Sequence, residues 1–373
     1  MKIGTTKERF LNAILLSERI VGKKESLPVL SCILIDATKE LSISATNLEA
    51  GINITIPVEI EEPGTVAVNA HVLAQTIRSI SGDKITLRTE DNNLLIESRG
   101  TKTLIKAVAH NEFPALASKI QSKGIIVSRD LLMRGIQSVS YSASPSMIRP
   151  ELGSVYIAMS DTQMITVATD SFRLAEKIVA NSGGTRADNA QDLLIPLRHA
   201  LELTHVLEHV DSEQVEINLD DSQITVSASG SKIGNVRYIS RVVDGQFPNY
   251  KEIIPKTFTT EAIVLKSDFA EMLRKARVFS GNDQHVGLHL YPSRKIFSAT
   301  AQSNDVGEMS DAIDAALSGD DLDINFHIGY LGDCFSSVQS DSIVLGFSGP
   351  GRPVVIRGVS DASFTYLVMP LNR

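Results

Sequence analysis

The chain carries the stretch Thr166-Val167-Ala168-Thr169-Asp170-Ser171-Phe172-Arg173-Leu174-Ala175, and versions of it recur on either side of the middle third. A threonine beside a turn-forming Asn or Asp closes one β-branched run and opens another, as at Ile43-Ser44-Ala45-Thr46-Asn47, and more loosely at Phe297-Ser298-Ala299-Thr300-Ala301. Ala45 and Ala168 are 123 residues apart, and Ala168 and Ala299 are 131 apart. A second marker, Glu112-Phe113-Pro114, Gln246-Phe247-Pro248 and Val368-Met369-Pro370, keeps a similar spacing. Recurrence at this period constrains the fold more than any single motif, because it calls for three copies of one α+β unit. The domains are read as 1–122, 123–255 and 256–373.

Each copy reads as helix, strands, helix, strands. In the first, Thr5 or Thr6 caps a helix with Phe10, Ile14, Leu15 and Ile20 near one face, ended by Gly22. A second helix spans about 70–80. In the second copy Ser128 caps a helix through Leu131, Leu132, Ile136 and Val139, and Pro196 starts another. In the third, Ser267 caps a helix through Phe269, Met272 and Leu273, and a later helix covers about 328–338. Alternating strands, bounded by turns such as Ser81-Gly82-Asp83, fill the spaces.

A chain of 373 residues with 43% hydrophobic and 21% charged residues reads as globular throughout. No apolar run approaches the roughly 20 residues of a membrane span, and Met1-Lys2 leads into a folded-looking segment without a signal peptide, so a cytoplasmic location is expected. Cys32 and Cys334 have no ligand spacing and read as buried thiols. A net charge of −8 argues against a coat of nucleic acid but permits a basic patch on one face.

Three constellations invite a catalytic reading. His205, Glu208 and His209 match an inverted zinc-protease pattern and define the alternative function, a metal-dependent hydrolase; that reading needs a third ligand from elsewhere, whereas a polar helix face explains the residues adequately. Gly346-Phe347-Ser348-Gly349-Pro350-Gly351 has Pro where a nucleophile elbow needs Gly, and no Lys-Ser or Lys-Thr pair follows, so it reads as a hairpin loop. Asp170 and Arg173 have no nearby nucleophile and read as turn residues. No enzyme activity, metal or cofactor is expected.

Leu27-Pro28-Val29-Leu30, Val167 to Ala175, Asp244-Gly245-Gln246-Phe247-Pro248-Asn249-Tyr250 and Tyr366-Leu367-Val368-Met369-Pro370 stand in an order and a threefold frame that resemble the bacterial sliding clamps, the beta subunits of DNA polymerase III. The resemblance covers essentially the whole chain. It implies three similar domains, each with two helices on an outer layer of antiparallel sheets, and a head-to-tail homodimer closed as a ring around duplex DNA. Twelve helices about 8–10 Å apart would enclose an opening of about 25 Å, enough for a duplex.

What the resemblance implies for sites follows residue by residue. Lys24 matches the basic loop ahead of the Leu-Pro, and Arg149 a second DNA-touching loop; Arg78, Arg198, Arg274 and Lys275 put cations on the helices for sequence-independent phosphate contact. Arg134 and Arg277 add to them, among acidic neighbours. A hydrophobic groove for short linear peptides from the replicative polymerase, the clamp loader and repair proteins matches Leu152, Thr169, Ser171, Phe172, Arg173, Leu174, Pro248, Ile253, Leu367, Met369 and Pro370, with Tyr330 nearby. Period-two alternation puts Phe172 and Leu174 on one face with Arg173 pointing away, and pairs Leu367 with Met369. Ser171-Phe172 stands where many relatives have Gly-His, and the tail Leu371-Asn372-Arg373 also departs. The dimer contact is expected between an edge strand at Thr103 and Ile105 and the region of Val278 and Phe279.

Overall fold

The computed structural model describes residues 1–22, 27–116, 124–160, 162–180, 191–220 and 222–371. The described residues within 1–133 and 198–242 group into one compact unit, and those within 134–182, 188–197 and 243–373 into a second.

Six α-helices are present among the described residues: α1 (Lys7–Ile20), α2 (Ala70–Ser79), α3 (Arg129–Val139), α4 (Leu197–Glu208), α5 (Lys266–Phe279) and α6 (Ile328–Gly332). A strand runs straight into each: Lys2–Thr6, Thr65–Asn69, Ile125–Ser128, Gln191–Pro196, Thr260–Leu265 and Leu322–His327. The pattern reading missed these six strands. Helix α1 buries Phe10, Ala13, Ile14, Leu16 and Ile20, so Leu16 rather than Leu15 completes its apolar stripe. Thr6 is its N-cap residue, but its side chain makes no capping bond. Ser267 lies inside the first turn of α5, whose N-cap is Leu265. The helix expected over 328–338 ends at Gly332 and continues as a 3₁₀ turn, Asp333–Ser336. The glycine-rich loop at 348–351 does join two hairpin strands, Ser342–Phe347 and Val354–Gly358.

In the first unit a nine-stranded sheet joins strands of the first and second thirds: Ala50–Ile56 pairs antiparallel with Gly234–Arg241, with Ala50 opposite Ser240 and Ile52 opposite Tyr238. In the second unit another nine-stranded sheet joins the second and third thirds: Arg173–Ala180 pairs with Asp361–Val368, with Arg173 opposite Val368 and Ala175 opposite Tyr366. Each pairing covers an edge that would otherwise be open. Each also buries a tyrosine whose hydroxyl needs a partner. Tyr238 donates to the His199 carbonyl at 3.1 Å, and Tyr366 to the Tyr330 carbonyl at 2.8 Å. His199 and Tyr330 are the third residues of α4 and α6.

A smaller sheet ends in Thr101–Ile105 in the first unit, and a four-stranded sheet ends in Gly307–Ile313 in the second. Cys32 and Cys334 are buried free thiols, and burial pushes both thiol pKa values up.

Candidate functional site

The turn Thr169–Arg173 is fixed by its own side chains. The Thr169 hydroxyl donates to the Arg173 carbonyl at 2.7 Å and accepts the Ser171 amide at 3.2 Å. Asp170 Oδ1 accepts the amides of Phe172 and Arg173 at 2.9 and 3.0 Å. Ser171 is held at φ 78°, in the left-handed region where glycine is the unstrained residue. The following strand then passes Leu174 into a cluster with Val167, Tyr250, Val355 and Leu367.

The predicted alternation across this segment does not hold. Phe172 is 60% exposed and Leu174 only 4%, because the strand starts at Arg173 and Phe172 still belongs to the turn. Arg173 does not project into solvent. Its Nε bonds Asp170 Oδ2 at 3.0 Å, its Nη1 reaches Asp333, and its guanidinium lies 4.4 Å from the Tyr330 ring centroid. Burial alone would lower the Arg173 pKa, but Tyr366, Asp170 and Asp333 outweigh it and the net shift is upward. Asp333 went unnoticed in the sequence because it lies 160 residues away with no local signal.

Met369 donates its amide to the Phe172 carbonyl at 2.8 Å, which brings the C-terminal segment beside the turn tip. Met369, Pro370 and Tyr330 are half-buried, whereas Leu367 is core at 3%. Leu152, also buried, gives its amide to the Arg149 carbonyl. Pro248 lines a cavity of about 470 Å³ with Tyr156, Phe247 and Tyr250. The Phe247 and Tyr156 rings stack at 4.9 Å, and burial with the Asp192 carboxylate pushes the Tyr156 pKa up to about 12. The Tyr250 hydroxyl bonds Glu176 Oε2 at 2.6 Å, and Ile253 beyond it is 52% exposed. Of the groove positions read from the sequence, Phe172 and Ile253 are exposed, Met369 and Pro370 are half-buried, and Leu174 and Leu367 lie in one buried cluster.

The cationic positions differ in how free they are. Lys24 lies outside the described residues. Arg78 and Arg274 are exposed on α2 and α5. Arg149 bonds Glu151 and Arg198 bonds Glu202, both at 3.0 Å. Lys275 lies 3.1 Å from both Asp311 and Glu271, which raise its pKa. On the edge strand Thr101–Ile105, Thr103 is half-buried and Ile105 is 5% exposed; the outward apolar residue is Leu104, at 50%, which the sequence reading missed. Val278 is 62% exposed and Phe279 is half-buried.

His205 Nδ1 lies 3.5 Å from Glu208, and His209 Nδ1 is 2.9 Å from the His205 carbonyl. Among the described residues no group of three or more His, Cys, Asp or Glu side chains is arranged to hold a metal ion. The hydrolase alternative finds no support.

Three models of DNA polymerase III beta subunit domains match the chain in order: the N-terminal domain at residues 1–117, the central domain at 126–249 and the C-terminal domain at 251–372. The chain belongs to the DNA polymerase III beta subunit family. It is 25% identical over 385 residues to the beta sliding clamp of Bacillus subtilis, covering both chains fully. It is 24% identical over 383 residues to that of Staphylococcus epidermidis, covering 100% of this chain and 99% of the other. The crystal structure of the Bacillus subtilis sliding clamp superposes with a TM-score of 0.92 at 24% identity, covering 100% of this chain and 99% of that one. The beta subunit of Pseudomonas aeruginosa gives 0.92 at 22% identity, with both chains fully covered. The chain has the three-domain α+β sliding-clamp fold, and the strand pairings at Ala50–Ile56 and Arg173–Ala180 join its beta-subunit segments.

Proposed function

We propose that this chain is a processivity factor for a DNA polymerase, two copies closing head to tail into a ring that encircles duplex DNA and holds partners by short peptides. The sheet plan carries the reading. Strands of successive thirds pair edge to edge twice, while Thr101–Ile105 and Gly307–Ile313 end their sheets, so a second copy can repeat the same pairing twice more and close the assembly. The three domains are taken as 1–122, 123–255 and 256–373, with Thr103, Leu104, Val278 and Phe279 near the contact between copies.

Lys24, Arg78, Arg149, Arg198, Arg274 and Lys275 serve DNA through phosphates, which fits sliding because phosphate contact carries no sequence information. The surface of Phe172, Ile253, Met369 and Pro370, above Leu174 and Leu367, receives the apolar side chains of the replicative polymerase, clamp loader or repair proteins. A Pseudomonas aeruginosa sliding clamp of this fold was solved bound to griselimycin, which supports a ligand-accepting surface on such chains. The action is tethering rather than catalysis, since a partner held beside DNA rebinds at high effective concentration. No helix among the described residues is long and apolar enough to cross a membrane, which accords with work in the cytoplasm.

The test is retention on DNA after loading. The protein should stay on circular duplex and run off linear duplex, and Lys24→Glu with Arg149→Glu should weaken retention and flatten its salt dependence. Val278→Asp with Phe279→Asp should give monomers by light scattering. Equal retention on circular and linear DNA would rule out enclosure.

A further inference from the structure

The strands His285–Tyr291, Ile296–Ser303 and Leu322–His327 belong to the four-stranded sheet of the second unit, with His285–Tyr291 paired to each of the other two. Alternation buries Val286, Leu288 and Leu290 and leaves Gly287, His289 and Tyr291 on the opposite face. Register sets Asp323 opposite His289 on one side, while on the other Thr300 stands opposite Gly287, diagonal to His289. The His289 ring joins the two. Its Nδ1 lies 2.6 Å from Asp323 Oδ1 and its Nε2 lies 2.8 Å from the Thr300 hydroxyl. Tyr291 donates its hydroxyl to the same Asp323 oxygen at 2.7 Å.

This order of carboxylate, imidazole and hydroxyl has a direction. A carboxylate only accepts, so Nδ1 donates to Asp323, and the neutral ring leaves Nε2 to accept the Thr300 proton. Asp323 thus orients the base and the base faces a hydroxyl, the geometry by which an alcohol becomes a nucleophile. Glycine at 287 permits it. A Cβ there would lie 2.9 Å from Thr300 Oγ1 and 3.3 Å from His289 Nε2, so a side chain would crowd the pair that makes the relay. The same point is 3.1 Å from Asn325 Oδ1, which sets a carboxamide, with N–H donors of its own, across the gap from Thr300. Gly287 is not in the left-handed region, and glycine inside a strand weakens it, so close approach is what this residue supplies. His289 and Thr300 are half-buried and Asp323 is exposed, which leaves the face open to a small reagent.

We propose that Thr300 is a self-modification site, a nucleophilic hydroxyl that takes an acyl group from an activated ester. Thr300 Oγ1 forms a bond to the ester's carbonyl carbon, and the bond from that carbon to the leaving oxygen breaks. The threonine proton passes to His289 Nε2 and from there to the leaving group or to solvent. The products are an acyl-threonine and an alcohol, with no change of oxidation state. The Asn325 carboxamide would donate to the carbonyl oxygen as it gains charge. His289 is the catalytic base of this step, and Asp323 and Gly287 are positioning residues.

The test treats the full-length protein with a biotinylated fluorophosphonate, which bonds to activated hydroxyls with loss of fluoride, and separately with p-nitrophenyl acetate. Wild type should carry the phosphonyl group on the peptide that contains Thr300, and heat-denatured protein should not. Thr300→Val should abolish that label, and His289→Gln should slow both labelling and p-nitrophenolate release by at least about tenfold. Asp323→Asn and Gly287→Ala should each slow labelling several-fold, with urea midpoints reporting that the variants fold. Free imidazole should restore the label on Thr300 in His289→Gly, which a polar ladder that only braces the sheet would not do. Wild type that stays unlabelled, or is labelled only away from Thr300, overturns the proposal, and this result is read without any variant. Equal p-nitrophenolate release by wild type and folded Thr300→Val overturns it as well.

Discussion

The turns Thr46–Ala50 and Thr169–Arg173 have the same four side-chain-to-backbone hydrogen bonds and the same left-handed third residue, yet one overhangs a polar cleft and the other a nearly filled apolar floor. The threonine and the Asn or Asp set the conformation, since each satisfies amides and carbonyls that the chain reversal would leave unpaired. The residues that make no part of that bonding decide what the turn does. Beside Gly51 the space is taken by Leu116, whereas Leu174 fills it from the turn's own strand and Arg173 ties the turn to Asp333 and Tyr330. The third recurrence shows the limit. Thr300 sits inside the strand Ile296–Ser303 with its hydroxyl 2.8 Å from His289, and the chain turns later, at 304–306. No Asn or Asp follows Thr300 directly, so nothing there collects the turn's amides.

The largest expected difference between the two places is in stability. Leu174 is 4% exposed within the cluster of Tyr250, Val355 and Leu367, so Leu174→Ala should cost about 2–5 kcal/mol through lost burial and a residual cavity. The sequence reading lists Leu174 among the groove residues; its burial makes it part of the core as well. At the matching Gly51 an added Cβ would press on the Leu116 Cδ2, the end of a flexible side chain, 2.6 Å away, and otherwise make ordinary contacts of 3.6 Å with the Ala45 carbonyl and the Thr46 hydroxyl. Gly51→Ala should therefore cost less than about 1 kcal/mol, the size of a surface change. Urea unfolding of both variants checks the contrast, and equal costs would mean that the two turns rest on equivalent floors after all.

A smaller contrast lies in the second turn residue. Asn47→Ala removes an acceptor from two amides, and Asp170→Ala removes the same acceptor together with the bond to Arg173 Nε. Asn47→Ala should cost about 1 kcal/mol, and Asp170→Ala about 2–3 kcal/mol, because bonds to charged groups are the stronger and Arg173 is left half-buried with Asp333 alone. Adding Arg173→Ala to both backgrounds separates the ion pair from the turn. If Asp170→Ala still costs more than Asn47→Ala once Arg173 is gone, the ion pair is not the source of the difference.

The threefold order, the helices and most hairpin strands were legible because they obey a local period and end in turn residues. The six strands that run into the helices were not. Thr65–Asn69 passes into α2 at Ala70, and Thr260–Leu265 into α5 at Lys266, with no glycine or proline to mark the change of period. The groove's composition was legible through residues near in sequence, Thr169 to Leu174 and Leu367 to Pro370. Its depth was not, because Leu174 and Leu367 are buried by Tyr250 and Val355 from distant segments, and Phe172 is exposed by a turn that extends one residue further than alternation assumes. The cleft beneath Leu48 left no motif at all. Its walls, among them Glu18, Arg19, His71, Arg198, Glu202 and Arg241, come from segments far apart in the chain.

The smallest predicted effect concerns the left-handed positions themselves. A residue with a Cβ in the left-handed region carries about 1–2 kcal/mol of strain, and replacing it by glycine relieves this while adding about 0.5–1 kcal/mol of unfolded-state entropy. Leu48→Gly and Ser171→Gly should therefore each stabilise the chain by about 0.5 kcal/mol, in the same direction, because their φ values of 73° and 78° are nearly equal. Ser171→Gly leaves Phe172 and Met369 in place, so the affinity for a Leu-Phe peptide should be nearly unaffected by either change. Urea midpoints and polarisation titrations on the same two proteins give both readouts. Opposite signs in stability would break the equivalence of the turns, and a clearly weaker Leu-Phe peptide in Ser171→Gly would mean that the turn's third residue shapes the groove as well as the turn.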